Sequence, residues 1–509
     1  MIRYRKLLLT ILFLVVIVLS SLYQLQTSPP VWWDEGWTLN VARNWVERGV
    51  YGQLLDGSLQ PPGLSAAFPV VAQVALSFKL FGVGVWQGRL PGVILISAAL
   101  LVTWFLAARL YNRRVAWITL LLLLLMPLNE KLHPILIGRQ VLGEAPMMFY
   151  LLLGYAMLLL ALDRHPLWIV AAALFWGIAL RTKAQVLPFW VVSMLLPVAL
   201  TIYKRWWRQL MIVLVGFLGA WLAARGLDFV QSWLLAGKTV PQAALEGYYG
   251  MSALVPALHI RTLALVSAVA FGLAVIAGLI YAGWQMLKGL RQEPADKNAE
   301  IIRLALWGLA ASWLGWYVLL SMYWPRYLFP ALFLGNLFAA ALIHDLTASY
   351  DLKFTVQQAG SLLTKRVFNR GSLGALLAVF LVAWTCGVSG LILGISYPAL
   401  ASSAAQQTAD YLQRQAPAQA LIESYESPLF FLLDRRWHFP PDQVHVQLNR
   451  RSLLDAGTAI DYDPLAADPD YLVVGPSAGE WRLYDRALAS GEFRLLIEFP
   501  PYAIYARVR

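Results

Sequence analysis

Residues 31–40 read VWWDEGWTLN, just after Pro29-Pro30 and a long apolar run that opens at Leu7. Two adjacent carboxylates flanked by three tryptophans stand where the chain leaves a hydrophobic segment. What they mean depends on that segment's surroundings. The chain has 509 residues, 59% of them hydrophobic and only 13% charged, which is far more apolar surface than a soluble core needs. The class implied is a polytopic α-helical membrane protein. The run LLLTILFLVVIVLSSLYQL follows Arg3, Arg5 and Lys6, exceeds a signal-peptide core and precedes no A-x-A-like cleavage site, so it reads as a retained first span.

A formal net charge of +12 would suit a nucleic-acid binder, but its distribution argues otherwise. Residues 1–397 carry 30 Lys and Arg against 14 Asp and Glu, whereas residues 398–509 carry 10 against 14. The excess falls in short loops at Arg3/Arg5/Lys6, Arg109/Arg113/Arg114, Lys204/Arg205/Arg208, Lys288/Arg291/Lys297/Arg303 and Lys353/Lys365/Arg366/Arg370. Such clusters mark the cytoplasmic ends of spans. Apolar runs between them predict about eleven transmembrane helices, at 7–25, 89–110, 115–132, 145–162, 167–182, 184–203, 210–228, 263–287, 304–322, 327–346 and 373–397. An odd number places the N-terminus inside and the tail outside. Segment 63–82 is apolar enough to span, but counting it would put Arg109–Arg114 outside, so it reads as an amphipathic helix in the outer interface.

The organisation expected is a transmembrane domain over 1–397, with a first outer loop at 26–88, and a small extracytoplasmic α/β domain over 398–509. In the tail, helix-period and strand-period pieces alternate between Pro and Gly residues. Cys386 is the single cysteine, so no internal disulfide forms. There is no internal repeat, zinc-spaced Cys/His set, P-loop or G-x-G-x-x-G, which disfavours ATP-driven transport.

Under this topology Asp34 and Glu35 lie outside, at the membrane surface. A carboxyl packed against indole rings suits proton abstraction, and an acidic first turn after Pro29-Pro30 is also ordinary helix-start chemistry. Beyond the pair come QPPGL, an apolar helix ending LFG, Arg89 opening a span, RLYNRR, and GRQVLGEAPMMF. This order of motifs, over roughly residues 28–345, resembles the GT-C superfamily of polyprenyl-phosphate-sugar-dependent glycosyltransferases, which includes protein O-mannosyltransferases, aminoarabinose transferases and related bacterial enzymes. The resemblance implies the GT-C fold and transfer of a sugar from a lipid-phosphate donor to an acceptor hydroxyl on the outer face, with inversion. It maps the catalytic base onto Asp34, with Glu35 beside it and Glu144 as a second acidic residue. Many relatives carry Asp at the place of Glu144, which weakens a metal role here, and commonly Lys-Pro-Pro where this chain has Gln60-Pro61-Pro62, so a cation that would contact the donor phosphate is missing.

Departure of a phosphate needs cations, and three lie at outer span ends: Arg139, Lys183 and Arg326, the last within MYWPRYLFP. Gln60, Tyr248 and Tyr249 are candidates for acceptor or loop contacts. The partners expected are a polyprenyl-phosphate-sugar donor, a lipid, protein or polysaccharide acceptor, and the bilayer, with no nucleic acid and no certain cofactor; a divalent metal stays open. The location expected is a bacterial inner membrane. The competing classes are a transporter or non-catalytic receptor, which would place ionisable residues near mid-bilayer, and a ligase using a pyrophosphate-linked glycan.

Overall fold

The computed structural model describes residues 15, 17–246, 257–365, 369–396 and 401–508. Among these, eight helices are long and apolar enough to cross a membrane: Val85–Leu110, Glu144–Asp163, Val186–Tyr203, Trp207–Leu234, Leu258–Gly289, Lys297–Leu320, Pro325–Leu346 and Arg370–Ser396. They overlie eight of the eleven expected spans. Of the other three, 7–25 lies partly outside the described residues, which include 15 and 17–25 of it. Segment 167–182 forms a helix of 15 residues, Trp168–Thr182, shorter than the roughly 20 that a hydrocarbon core needs. Segment 115–132 breaks: the Arg113–Leu124 helix stops ahead of Pro127, which has no N–H to donate, and a short helix, Pro134–Gly138, follows. The interfacial helix expected within 63–82 is Phe68–Phe81, which buries Val70, Val71, Val74 and Phe78.

The Pro325–Leu346 helix sits at the centre, with every residue from Tyr327 to Ile343 buried. A helix surrounded on all sides must be apolar all round, as PALFLGNLFAAALI nearly is. The Val85–Leu110 helix sets the two polar ends of the bundle, because its 26 residues span about 39 Å with Arg89 near one end and Arg109 near the other. At the Arg109 end, Arg109 bonds Asp163 and Asp296, each at 2.8 Å, and Lys204 Nζ reaches the Gln292 carbonyl at 2.7 Å. Three of the loops with basic clusters thus gather on one face.

At the opposite end a mixed sheet closes over the bundle. Strands β3 (Leu421–Ser424), β4 (Arg436–His438), β5 (Tyr471–Val474), β6 (Phe493–Phe499) and β7 (Tyr502–Arg507) lie in the order β4-β3-β5-β7-β6, parallel across the first three and antiparallel thereafter. A separate hairpin pairs β1 (Gln53–Leu55) with β2 (Ser58–Gln60) in the segment between the Trp33–Arg48 and Phe68–Phe81 helices. Within the larger sheet, the buried Glu423 carboxylate accepts from the hydroxyls of Tyr462 and Tyr484 at 2.7 Å and from His438 Nδ1 at 2.5 Å. Burial pushes the Glu423 carboxyl up, while the bond to Glu423 pushes His438 up.

The sheet domain is clamped to the Trp33–Arg48 helix. Arg43, 7% exposed, donates to the carbonyls of Phe431 at 2.7 Å and Phe430 at 2.9 Å, and Ser427 Oγ donates to the Trp33 carbonyl at 2.5 Å. Gly36 makes this approach possible, since a Cβ there would stand 2.5 Å from backbone atoms of Ser427 and Pro428. Gly36→Ala is therefore expected to push the two units apart, costing about 1–3 kcal/mol. Thermal unfolding and protease sensitivity of the 401–508 region would register it; an unchanged melting temperature would show that the contact yields without cost.

Candidate active site

A cavity of ≈ 890 Å³ lies between the bundle and the sheet domain. Its lower wall is built by Trp32, Asp34, Lys131, Tyr323, Trp324 and Arg326, and its upper wall by Tyr425, Glu426, His445, Glu480, Trp481 and Tyr502. Asp34 stands in the first turn of the Trp33–Arg48 helix, and Arg326 in the first turn of the central helix, behind Pro325. Although 292 positions apart, the two form an ion pair, Arg326 Nη1 donating to Asp34 Oδ2. Both side chains keep some exposure, 17% and 15%.

The Arg326 guanidinium is caged by the rings of Trp32, Trp324 and Tyr327, at 5.2, 5.3 and 5.4 Å from their centroids. Cation–π contact holds its position, and its fork of five N–H donors exceeds what Asp34 uses. Lys131 adds a second cation, its Nζ 5.6 Å from the other partner ring of the cage, Trp32, whose indole N–H donates to Gln140 at 2.6 Å. The arrangement suits an anion placed beside a carboxylate.

The other expected site residues take different places. Glu35 is fully buried and faces away from the cavity: its two oxygens accept from Arg89 Nε and Nη2, each at 2.7 Å, and Oε1 also accepts from the Val141 N–H at 3.1 Å. Its expected catalytic part gives way to anchoring the helix that carries Asp34. Glu144, in the first turn of the Glu144–Asp163 helix, pairs with Lys183, and neither lines the cavity. Lys183 lies over the opposite neighbour of the cage, with Nζ 5.4 Å from the Tyr327 centroid, so the pair backs the site instead of reaching a phosphate directly. Arg139 is spent on the carbonyls of Ser20 and Tyr23, tying the loop ahead of the Glu144–Asp163 helix to the first helix, and does not reach the cavity. Gln60 pairs with Gln53 in the hairpin, away from the cavity wall. Tyr248 and Tyr249 lie outside the described residues.

The tryptophans also turn from the lipid surface. Trp33 stacks on His445 at 5.2 Å and packs on Tyr425 at 4.2 Å, while Trp37 meets Phe430 and Phe439, each at 5.2 Å. Apolar rings on this helix are claimed by the sheet domain, whose presence local hydropathy does not register.

Sequence reasoning missed Lys131, Tyr425, Glu426 and His445. Lys131, as an outer-loop cation beside His133, carried a visible signal; the tail residues carried none. Burial drives the His445 imidazole down to about 4, leaving it neutral, between Tyr425 Oη at 2.8 Å and Asn449 Nδ2 at 3.0 Å. Burial raises the Glu426 carboxyl to about 7, opposed by the Ala478 N–H at 2.8 Å. Because the folded state holds this proton more tightly than the unfolded chain, the contribution of Glu426 falls as pH rises from about 4.5 to 7, by up to about 3 kcal/mol. Glu426→Gln is expected to flatten that part of the stability profile, read by melting temperature at each pH; an unaltered slope would place its proton affinity near that of a solvated glutamate.

Among the described residues, no three or more His, Cys, Asp or Glu side chains converge as a metal site. Asp34 and Glu144 are each already neutralised by a cation, so this donor set does not fit a divalent ion.

Comparison with known proteins bears on the frame around this site. Residues 68–225 match the family model described as dolichyl-phosphate-mannose-protein mannosyltransferase. The structure superposes on ArnT from Cupriavidus metallidurans bound to undecaprenyl phosphate with a TM-score of 0.57 and 16% identity, covering 98% of each chain. The chain has the GT-C glycosyltransferase fold. The chain is also similar to the oligosaccharyltransferase AglB from Archaeoglobus fulgidus in complex with an inhibitory peptide and a dolichol-phosphate, at a TM-score of 0.53 and 13% identity over 97% of this chain and 74% of that one. The mycobacterial arabinofuranosyltransferase AftD aligns at a TM-score of 0.50 and 16% identity, over 99% of this chain and 40% of its own. No curated protein matches this chain by sequence.

Proposed function

We propose that the chain is an integral-membrane glycosyltransferase that moves a sugar from a polyprenyl-phosphate donor to an acceptor hydroxyl on the extracytoplasmic face of a bacterial inner membrane. The observation that carries this reading is the Asp34–Arg326 pair at the cavity between bundle and sheet domain. The similar structures bound to undecaprenyl phosphate and in complex with a dolichol-phosphate support a lipid-linked donor. In this reading the N-terminus is cytoplasmic, residues 1–397 form the membrane domain and 398–509 the outer domain.

A donor phosphate engaging Arg326 competes with Asp34 for the guanidinium and frees the carboxylate to accept a proton. The acceptor oxygen then attacks the anomeric carbon, the bond to the phosphate oxygen breaks with its electron pair, and the hydroxyl proton passes to Asp34. Arg326 and Lys131 stabilise the charge gathering on the leaving phosphate. One displacement inverts the anomeric centre. The charges of the site sit at the ends of helices, which distinguishes it from an ionisable pathway through the middle of the bundle.

Arg326→Ala is expected to lower kcat/KM for the donor by about 10²–10³-fold, with Arg326→Lys retaining part of the rate because a point charge remains while the planar fork is lost. Steady-state release of polyprenyl phosphate from a short-chain donor measures this. Equal rates in all three proteins would remove Arg326 from the phosphate site.

A further inference from the structure

We propose that the upper wall of the cavity is an acceptor subsite for a neutral or amine-bearing glycan, and that it discriminates against phosphorylated acceptors. Resting on the transferase reading above, this assigns a chemical class to a substrate that the fold leaves open.

The cavity is divided by charge. Both lysine and arginine side chains that line it, Lys131 and Arg326, come from the membrane portion, Arg326 paired with Asp34 and Lys131 lying 3.9 Å from Glu130. Among the described residues from the sheet domain that line it, there is no lysine or arginine, and the two ionisable carboxyls are Glu426 and Glu480. His445, also in this wall, is kept neutral by burial and adds no positive charge. A phosphate or carboxylate arriving from the outer side therefore meets the Glu480 carboxylate with no lysine or arginine in the same wall, and beside it the Glu426 carboxyl, whose raised proton affinity leaves it partly neutral; an added anion finds repulsion and no countercharge there. Hydroxyl and ammonium groups meet an acceptor at Glu480 instead, since a carboxylate accepts hydrogen bonds and binds charged donors most strongly.

The remaining surface of this wall fits the apolar faces of sugar rings. Tyr425, Trp481 and Tyr502 line it, with Asn449 and Ser477 as neutral polar groups between them. Aromatic rings also favour an ammonium placed over their faces. The carboxyl of Glu426 is held rigidly, being 1% exposed and bonded to the Ala478 N–H, so it presents one fixed geometry. At ≈ 890 Å³ the cavity lies near the upper end of the range for single-ligand pockets, leaving room for an acceptor ring beside the donor's sugar. The two substrates are thereby sorted by charge: the anionic donor end is drawn to Arg326 on the membrane side, and the uncharged or cationic acceptor to the outer side, with Asp34 between them.

The test uses the full-length protein in nanodiscs with three octyl glycosides: a hexoside, the corresponding aminohexoside, and the hexoside 6-phosphate. Native mass spectrometry reads binding without requiring turnover, and polyprenyl phosphate release reads transfer. The hexoside and aminohexoside are expected to bind at least about tenfold more tightly than the phosphate. Glu480→Lys is expected to narrow that ratio, and Trp481→Ala to raise the acceptor KM about tenfold with kcat within about twofold. Equal or tighter binding of the phosphorylated glycoside, a ratio indifferent to Glu480→Lys, or no binding of any glycoside overturns the subsite. Binding in the expected order without release from any donor leaves the subsite standing and overturns the transferase reading.

Discussion

Asp34→Asn is expected to lower sugar transfer by about 10²–10⁴-fold, the range that a positioned general base contributes, while the protein stays folded and monodisperse. Asparagine is nearly isosteric and its side-chain oxygen still accepts a bond from Arg326, but it cannot take the acceptor's proton. The ion pair it disturbs is 15–17% exposed and lines a cavity, so Arg326 keeps access to water and the cost to stability is small. Turnover and melting temperature measured on the same preparation separate the two effects. A variant that melts much earlier but transfers at the wild-type rate per folded molecule would make the pair structural.

Glu35→Gln is expected to do the reverse, one residue along the same helix. The Glu35–Arg89 pair is completely buried and bidentate, and Arg89 also donates to the Leu25 carbonyl at 2.8 Å. Removing one charge leaves the other enclosed without compensation, at a cost of about 3–5 kcal/mol. Replacing both together, as Glu35→Leu with Arg89→Met, is expected to recover most of that loss, because the charges are then absent instead of stranded. Denaturation in detergent measures each variant; single and double replacements of equal stability would mean that the pair is hydrated. Successive helical residues point about 100° apart, which is how adjacent carboxylates come to face the cavity and the buried Arg89 separately.

This division marks the limit of what the residues alone disclose. The motif order around DEG and GRQVLGE points to the fold and to Asp34, and long apolar runs locate eight helices because a bilayer-crossing segment is nearly continuous in hydropathy. Strand-period pieces such as YLVV and FRLLIEF are legible in the tail for the same kind of reason. What stays hidden is pairing across long separations. Nothing near Arg326 names Asp34 as its partner, nothing near Glu35 names Arg89, and Arg139 resembles a phosphate ligand until the carbonyls of Ser20 and Tyr23 are seen to occupy it. Trp33 and Trp37 match an interfacial belt by composition, yet a domain nearly 400 residues later covers them. Gly36 likewise has no local explanation, since the backbone that excludes a side chain there belongs to Ser427 and Pro428.

The central claim is that the cavity of Asp34 and Arg326 transfers sugar from a lipid phosphate. Its most direct test is phosphorus NMR of purified protein in nanodiscs with short-chain polyprenyl-phosphate sugars and an envelope acceptor extract, with Asp34→Asn run in parallel. Release of polyprenyl monophosphate by the wild type, lost in the variant, is the predicted result. Release that Asp34→Asn leaves unchanged, or appearance of polyprenyl diphosphate from a diphosphate-linked glycan in place of monophosphate, would contradict it.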